Sequence, residues 1–382
     1  MEWILVPAGV LLILVGLLDV FFTVLHYDGF GFLSSRLYDS LFKVMRSLTR
    51  SLPRRYRALG LSMAAPLMVP VTITVWVFLV SLGYALVYYA GMDGDTFFSL
   101  PGKSLEPSPM EALYLSGVAV STLGFGDITP TNALYQALVV SEALIGFGIL
   151  TLAISYIIGV YGILQQLGVL SAGLHHQAQD TYDPWTILAP HFQGGNPVAL
   201  ESHLMELHRG LVEVYEGMRR YPIVYYYHSR RAYRSLPYTF RMMGGMAGAL
   251  RWGLPTGHLA SQTPWLPTLI TGLTTIMVYM GERFLSERLE DAPKPVSFEG
   301  FAAALAGRGD PPDWFSKRFV EMERWMRDLA HLEGAPDAKE AYERYSEWLP
   351  FAHRVRTFFE ASAKDLGYEL EELEGGPGER LF

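Results

Sequence analysis

The chain has 382 residues, half of them apolar, a formal net charge of −8 and no cysteine. The missing thiols exclude disulfides and cysteine-based metal sites, the net charge by itself says little, and no nucleic-acid partner is expected. Apolar residues crowd into the first 165 positions, so a chain-wide mean understates the membrane signal.

About 20 consecutive apolar residues cross a bilayer. Three stretches reach that length: Trp3–Leu25, Leu67–Tyr89 and Leu134–Tyr161. The first has only Glu2 ahead of it, without the basic start or cleavage site of a secretory leader, so residues 1–30 are predicted to keep a membrane helix. Asp19 lies inside this span and is expected to serve assembly, paired with an arginine of the next loop or a polar group on the second span. Residues 31–60 form a linker carrying Arg36, Lys43, Arg46, Arg50, Arg54, Arg55 and Arg57. Such loops stay cytoplasmic, which places the N-terminus outside. Their apolar-basic mixture suits a helix along the inner leaflet, with anionic lipid against Arg46–Arg57. No span repeats arginine every third residue, so the usual voltage-sensing helix is not predicted.

The segment between the second and third spans holds Asp93, Asp95, Glu106, Glu111 and Asp127, with Lys103 as its base. That side is predicted to face outward. Within it, Ser108-Pro109-Met110-Glu111 reads as a capping box that opens a helix over 109–121. At about 20 Å this helix is too short to cross a bilayer, and it runs directly into Thr122-Leu123-Gly124-Phe125-Gly126, expected as a strand. A broken element at membrane depth must be buried in protein or line a wet cavity. A dehydrated cation needs a cage of oxygens, which backbone carbonyls supply without holding the ion too tightly. Gly124 and Gly126 can take the backbone angles that turn successive carbonyls inward. Thr122 adds a hydroxyl, while Leu123 and Phe125 are expected to point away and pack against the short helix. One chain supplies one such segment, so a closed ring requires a homo-oligomer.

At these residues the chain resembles the prokaryotic potassium channel pore family, with outer helix, pore helix, filter and inner helix. The likeness covers about residues 60–165, inside a predicted pore module of 61–168. It implies a homotetramer that passes potassium in preference to sodium. Potassium ions would be bound in transit by the carbonyls of Thr122, Leu123, Gly124 and Phe125. Ser121, Val118 and Asp127 would support the filter; Val118 stands where one relative has a glutamate partner for the filter aspartate, so Asp127 needs another. Leu123 replaces a β-branched residue, and Phe125 lacks the phenol that tethers many filters.

The inner helix is predicted over 132–165, continuing to about Leu167. Gly146 lies where relatives carry a hinge glycine, with Gly148 close by; close helix packing is the alternative reason for both. Glu142 either lies behind the filter, bonded to the pore helix, or presents a ring of charge to passing cations. On the family's spacing Phe147, Leu150, Ile154 and Ile158 face the cavity and form a hydrophobic gate.

Residues 169–382 are predicted to be a mainly α-helical cytoplasmic regulatory domain, with helical periodicity through Leu200–Met218, Phe315–Leu332 and Ala341–Phe359. Leu266–Phe284 is apolar enough to resemble a fourth span, but its threonines and Gly272 favour burial in this domain. The histidines show no metal-ligand spacing, and no GxGxxG follows a strand. The arginines and tyrosines of Arg219–Arg241 are expected to pack beneath the membrane part or against lipid. The tail from Glu369 to Glu379 is expected to be solvated.

The expected architecture is thus an all-α membrane protein: a tetrameric potassium-channel-like pore with three membrane helices and one re-entrant segment per chain, plus the helical domain. The expected function is passive potassium flux across a prokaryotic plasma membrane, gated through the cytoplasmic domain by an unknown ligand, with no organic cofactor and no enzymatic chemistry. The alternatives are a weakly selective monovalent cation channel and a non-conducting receptor or scaffold.

Overall fold

The computed structural model describes residues 2–29, 31–92, 96–99, 107–286 and 289–375. Asp93, Asp95, Lys103 and Glu106 of the predicted outward loop, and Glu379 of the acidic tail, lie outside the described residues. The chain divides into two compact units, Met1–Gly162 with Gly217–Tyr227, and Ile163–Glu216 with His228–Phe382.

The first unit is built on long helices. α1 spans Glu2–Val20 and ends in a wider π-helical turn, Phe21–Leu25. α2 spans Phe32–Thr49 and α3 spans Arg54–Gly91. A short strand β1, Phe97–Ser99, precedes helix α4, Pro109–Val120, and strand β2, Ile128–Pro130. α5 then runs from Ala133 to Gln177, ten residues beyond the expected end. Its length is roughly 68 Å at the usual helical rise. Among the described residues three helices are long and apolar enough to cross a membrane: Ile4–Leu25, Arg54–Gly91 and Ala133–Gln177. The chain is therefore an all-α, multi-pass membrane protein.

In lipid, helices gain little from burying apolar surface and associate where small residues let backbones approach. α1 and α3 do so at Gly9 and Gly83. A Cβ on Gly9 would collide with the Gly83 carbonyl oxygen, and one on Gly83 would lie 2.7 Å from the Gly9 oxygen.

The Asp19 carboxylate, fully buried, accepts from Trp76 Nε1 on α3 at 2.8 Å. It also accepts from the Leu33 and Ser34 amides at 2.8 and 3.4 Å and from the Ser34 hydroxyl at 2.5 Å. Its partner is thus a polar group on the second span, as one of the two sequence alternatives had it, and the same carboxylate caps the N-terminus of α2. A negative charge is favoured there by the unpaired amides and the helix dipole.

α2 is amphipathic. Ser34, Tyr38, Phe42 and Thr49 are buried, while Arg36, Lys43 and Arg50 are exposed, as are Arg54 and Arg55 just beyond it. The segment Gly217–Tyr227 belongs to this unit rather than to the helical region around it in sequence. Its Tyr221 meets Tyr156 edge-on at 5.4 Å, Tyr226 packs on Phe42 at 5.4 Å, and Arg219 pairs with Asp28 at 2.8 Å.

The second unit begins in the C-terminal part of α5, at Ile163. A hairpin of β3, Phe192–Gln193, and β4, Asn196–Pro197, turns on Gly194-Gly195, both with positive φ. The helices that follow are α6 (Leu200–Arg220, whose last turn from Gly217 belongs to the first unit), α7 (Leu236–Trp252), α8 (Trp265–Arg283), α9 (Phe298–Leu305), α10 (Trp314–Leu329) and α11 (Ala338–Leu366). α7 is buried on nearly every face, which its Met-, Gly- and Ala-rich sequence permits. Gly244 lets α11 approach: a Cβ there would meet Val355 at 2.7 Å. α8 buries Leu266, Leu269, Leu273, Ile276, Met277 and Met280 along one face and leaves Thr268 and Thr271 exposed, the pattern of a core-facing helix.

Candidate functional site

Ser108 starts α4 because its hydroxyl accepts from the Glu111 amide at 3.2 Å. Pro109 follows at the first helical position, where a backbone amide would have no partner to lose. The helix stops at Ser121. Two further amides fold back onto it, Thr122 to the Ala119 oxygen at 2.9 Å and Leu123 to the Val118 oxygen at 3.0 Å. Val118 thereby supports the segment through its carbonyl, and the Ser121 hydroxyl bonds back to the Gly117 oxygen at 2.6 Å.

The next residues do not form the strand expected from their sequence. Thr122, Gly124 and Gly126 have φ of 59°, 57° and 76°, alternating with Leu123 and Phe125, which do not take positive φ. In a strand successive peptide groups point to opposite sides. Alternation in the sign of φ instead lets successive groups face one way. Positions 124 and 126 are glycine for this angle and not for space, since a Cβ at either would meet nothing within 4 Å. Thr122 has no such licence. A β-branched residue at positive φ is strained, and strain of this kind gathers at functional sites.

Leu123 and Phe125 are 60% and 63% exposed, so within one chain they do not pack against α4. The whole run from Ser121 to Gly126 is open on the surface of the chain.

Asp127 is bonded by the Tyr114 hydroxyl at 2.8 Å. Tyr114 stands on α4, one turn before Val118, and supplies the partner the sequence could not name. β2 then pairs antiparallel with β1, Ile128 opposite Ser99 and Pro130 opposite Phe97. This ladder clips the chain leaving the filter-like run to the chain leaving α3.

Glu142 on α5 is fully buried and accepts from Ser116 of α4 at 2.5 Å and Tyr88 of α3 at 2.7 Å. Ser116 also reaches the Ser81 carbonyl at 2.8 Å. One carboxyl therefore joins α3, α4 and α5, bonded to the short helix as one of the two sequence alternatives had it. Neither Ser116 nor Tyr88 stands out in the sequence; the spacing of Tyr84 and Tyr88, four apart on one face of α3, was the available signal.

Gly146 is held by a close approach, since a Cβ there would collide with the Val120 oxygen at the end of α4. Gly148 has no neighbour within 4 Å of its absent Cβ. Phe147, Leu150, Ile154 and Ile158 recur at intervals of three and four along α5 and form an exposed apolar stripe on it. Among the described residues no cluster of three or more His, Asp or Glu side chains is placed to hold a metal ion.

Residues 71–161 match the family model for "Ion channel". A curated relative, the uncharacterized membrane protein YdjJ of Bacillus subtilis strain 168, is 26% identical over 262 residues, which is 67% of this chain and 72% of that protein. That likeness is too long to be confined to the matched segment. No solved structure matches. Residues 71–161 are thus similar to an ion-channel domain, within a chain that carries three membrane-length helices.

Proposed function

We propose that this chain is one subunit of a homotetrameric, potassium-selective channel in a prokaryotic plasma membrane. The observation that carries the reading is the alternating sign of φ over Thr122–Gly126, set directly after a capped half-helix and between two membrane-length helices. Four copies around an axis would turn these backbones into a ring of oxygens that replaces the water shell of a potassium ion. The carbonyls of Thr122, Leu123, Gly124 and Phe125 would hold the ions in transit. The exposed Leu123 and Phe125 side chains would be covered by the neighbouring subunit, where they set the ring's diameter.

Ser121, Val118 and Asp127 support the filter, Asp127 through Tyr114. Glu142 braces α4 from behind and does not face the ions. Gly146 allows the inner helix to approach α4, and bending at Gly146 or Gly148 is a role it would share with its packing. Phe147, Leu150, Ile154 and Ile158 line the cavity and its hydrophobic gate. The basic linker with α2 lies on the cytoplasmic side, its arginines between Arg46 and Arg57 against anionic lipid. The N-terminus is then outside and the second unit is a cytoplasmic regulator.

Planar-bilayer recording of the purified protein between unequal potassium and sodium solutions tests this. The reversal potential is expected to follow potassium, and Gly124→Ala is expected to abolish current while the particle still assembles. Gly124 has φ of 57°. A methyl at that backbone angle is strained whatever space surrounds it. A reversal potential that tracks both gradients would mean a weakly selective pore. Silent tetramers under every condition would return the chain to a receptor or scaffold.

A further inference from the structure

The second unit contains a cleft of about 500 Å³ between α7, α10, α11 and the loop that follows α5. Native cores pack without voids of that size, whereas small-molecule sites commonly enclose a few hundred Å³. Its chemistry is particular. The Arg318 guanidinium lies over Trp185 at 3.7 Å, and that of Arg356 lies over Trp314 at 3.9 Å. Arg241 reaches in from α7, with one edge donating to the Tyr182 carbonyl at 2.8 Å.

The cations are unequally satisfied. Arg356 has a close partner in Glu360 at 2.7 Å. Arg318 meets Asp183 at 3.7 Å and Glu321 at 3.5 Å. Both separations are long for a hydrogen bond, so its donors are open to a better acceptor. Lys317, exposed and lining the cleft, adds an ammonium. Trp314 keeps about half of its surface exposed although it sits against the cleft. Flat aromatic faces beside a planar, under-used guanidinium suit a flat ring that bears a negative group.

The loop that brings Pro184 and Trp185 to the cleft carries strained backbone just before them. Gln179, Asp180 and Tyr182, immediately after the end of α5, have φ of 52°, 58° and 59°. Such conformations persist only where neighbours hold them. Residues of the cleft hold this loop: Arg241 donates to the Tyr182 oxygen, and Pro184 fills the space left by Gly245.

We propose that this cleft binds a small planar aromatic anion, carrying a phosphate or carboxylate, through Trp314 and Arg318, and that occupancy acts on the 178–185 loop. The binding stands on the geometry of this unit alone; only its consequence for a gate rests on the channel reading. The test therefore measures binding and not current.

Isothermal titration of the full chain in detergent would use adenosine monophosphate and indole-3-acetate, with adenosine and inorganic phosphate as the ring-only and anion-only probes. At least one aromatic anion is expected to bind with a Kd below about 1 mM, and which one does so identifies the anionic group. Arg318→Gln and Trp314→Ala are each expected to weaken it about tenfold. Lys317→Ala, at an exposed side chain, should shift affinity in the same direction and serves if Arg318→Gln does not fold. Amide hydrogen exchange over residues 178–185 should slow when the ligand is present. Absence of binding by both aromatic anions, or binding unchanged in Trp314→Ala and Lys317→Ala, would overturn the site. Binding that leaves exchange of the loop unaltered would overturn its link to α5.

Discussion

Two neighbouring glycines on α5 separate packing from backbone freedom at single-residue resolution. A methyl added at Gly146 runs into the Val120 oxygen, and backbone cannot swing aside as a side chain can. Gly146→Ala is expected to cost about 1–3 kcal/mol and to lower the thermal stability of the particle in detergent. A methyl at Gly148 meets nothing within 4 Å. Gly148→Ala should therefore be neutral or stabilising by up to about 1 kcal/mol. Spacing from the filter-like run marked both residues, but only the fold, by placing Val120 against one of them, distinguishes them.

His203 offers a pH test. Burial, with the stacked His191 ring 4.3 Å away, pulls its imidazole down to about 4 from an ordinary 6.5. The unfolded chain then binds the proton more readily than the folded one. The stability contributed by the neutral ring is complete above about pH 6.5 and is lost as the pH falls toward 4. Melting of the second unit, followed by circular dichroism, should decline across that window, and His203→Leu should flatten the decline.

Among elements, α2 depends most on a residue outside itself. Asp19→Ala would leave the Trp76 indole and two amides at the start of α2 without their acceptor. Each buried orphan costs about 1–3 kcal/mol. Hydrogen exchange at the first turn of α2 should rise sharply, and Asp19→Asn, which keeps one oxygen, should recover part of the protection. The pair of α10 and α11 has a comparable tie. Glu323 and Arg344 are 3% and 6% exposed at the side chain and 3.5 Å apart. Burial pushes the carboxyl up and the guanidinium down from their ordinary values. Glu323→Ala removes the nearer carboxylate of Arg344, leaving Glu340 at 3.9 Å and the Trp252 carbonyl, and is expected to destabilise the second unit by about 1–3 kcal/mol, read as a lowered melting temperature. The start of α4 was legible because a cap is a local device: Ser108, Pro109 and Glu111 act within one turn. The partners of Asp19 were legible only as a class, since Trp76 lies 57 residues away.

For the whole molecule, the three membrane-length helices and the helical character of the second region could be read from hydropathy and periodicity. Both signals are carried by residues close in sequence. The sequence did not reveal Glu142's partners, the Tyr114–Asp127 bond, the pairing of β1 with β2 or the cleft around Arg318. Each depends on segments that meet only after folding. The expected strand over Thr122–Gly126 failed for a related reason. Alternating apolar and glycine residues resemble a strand's period of two, but the same period also serves a backbone whose φ alternates in sign.

The return of Gly217–Tyr227 to the membrane-associated unit bears on how the protein can be dissected. A chain amputated after α5 would take Tyr221 from its seat against Gly159, where its phenol occupies the place of a missing Cβ. It would also strip Arg219 from Asp28 and uncover Phe42. A free-standing first unit would therefore have to carry this eleven-residue patch (Gly217–Tyr227) as a graft.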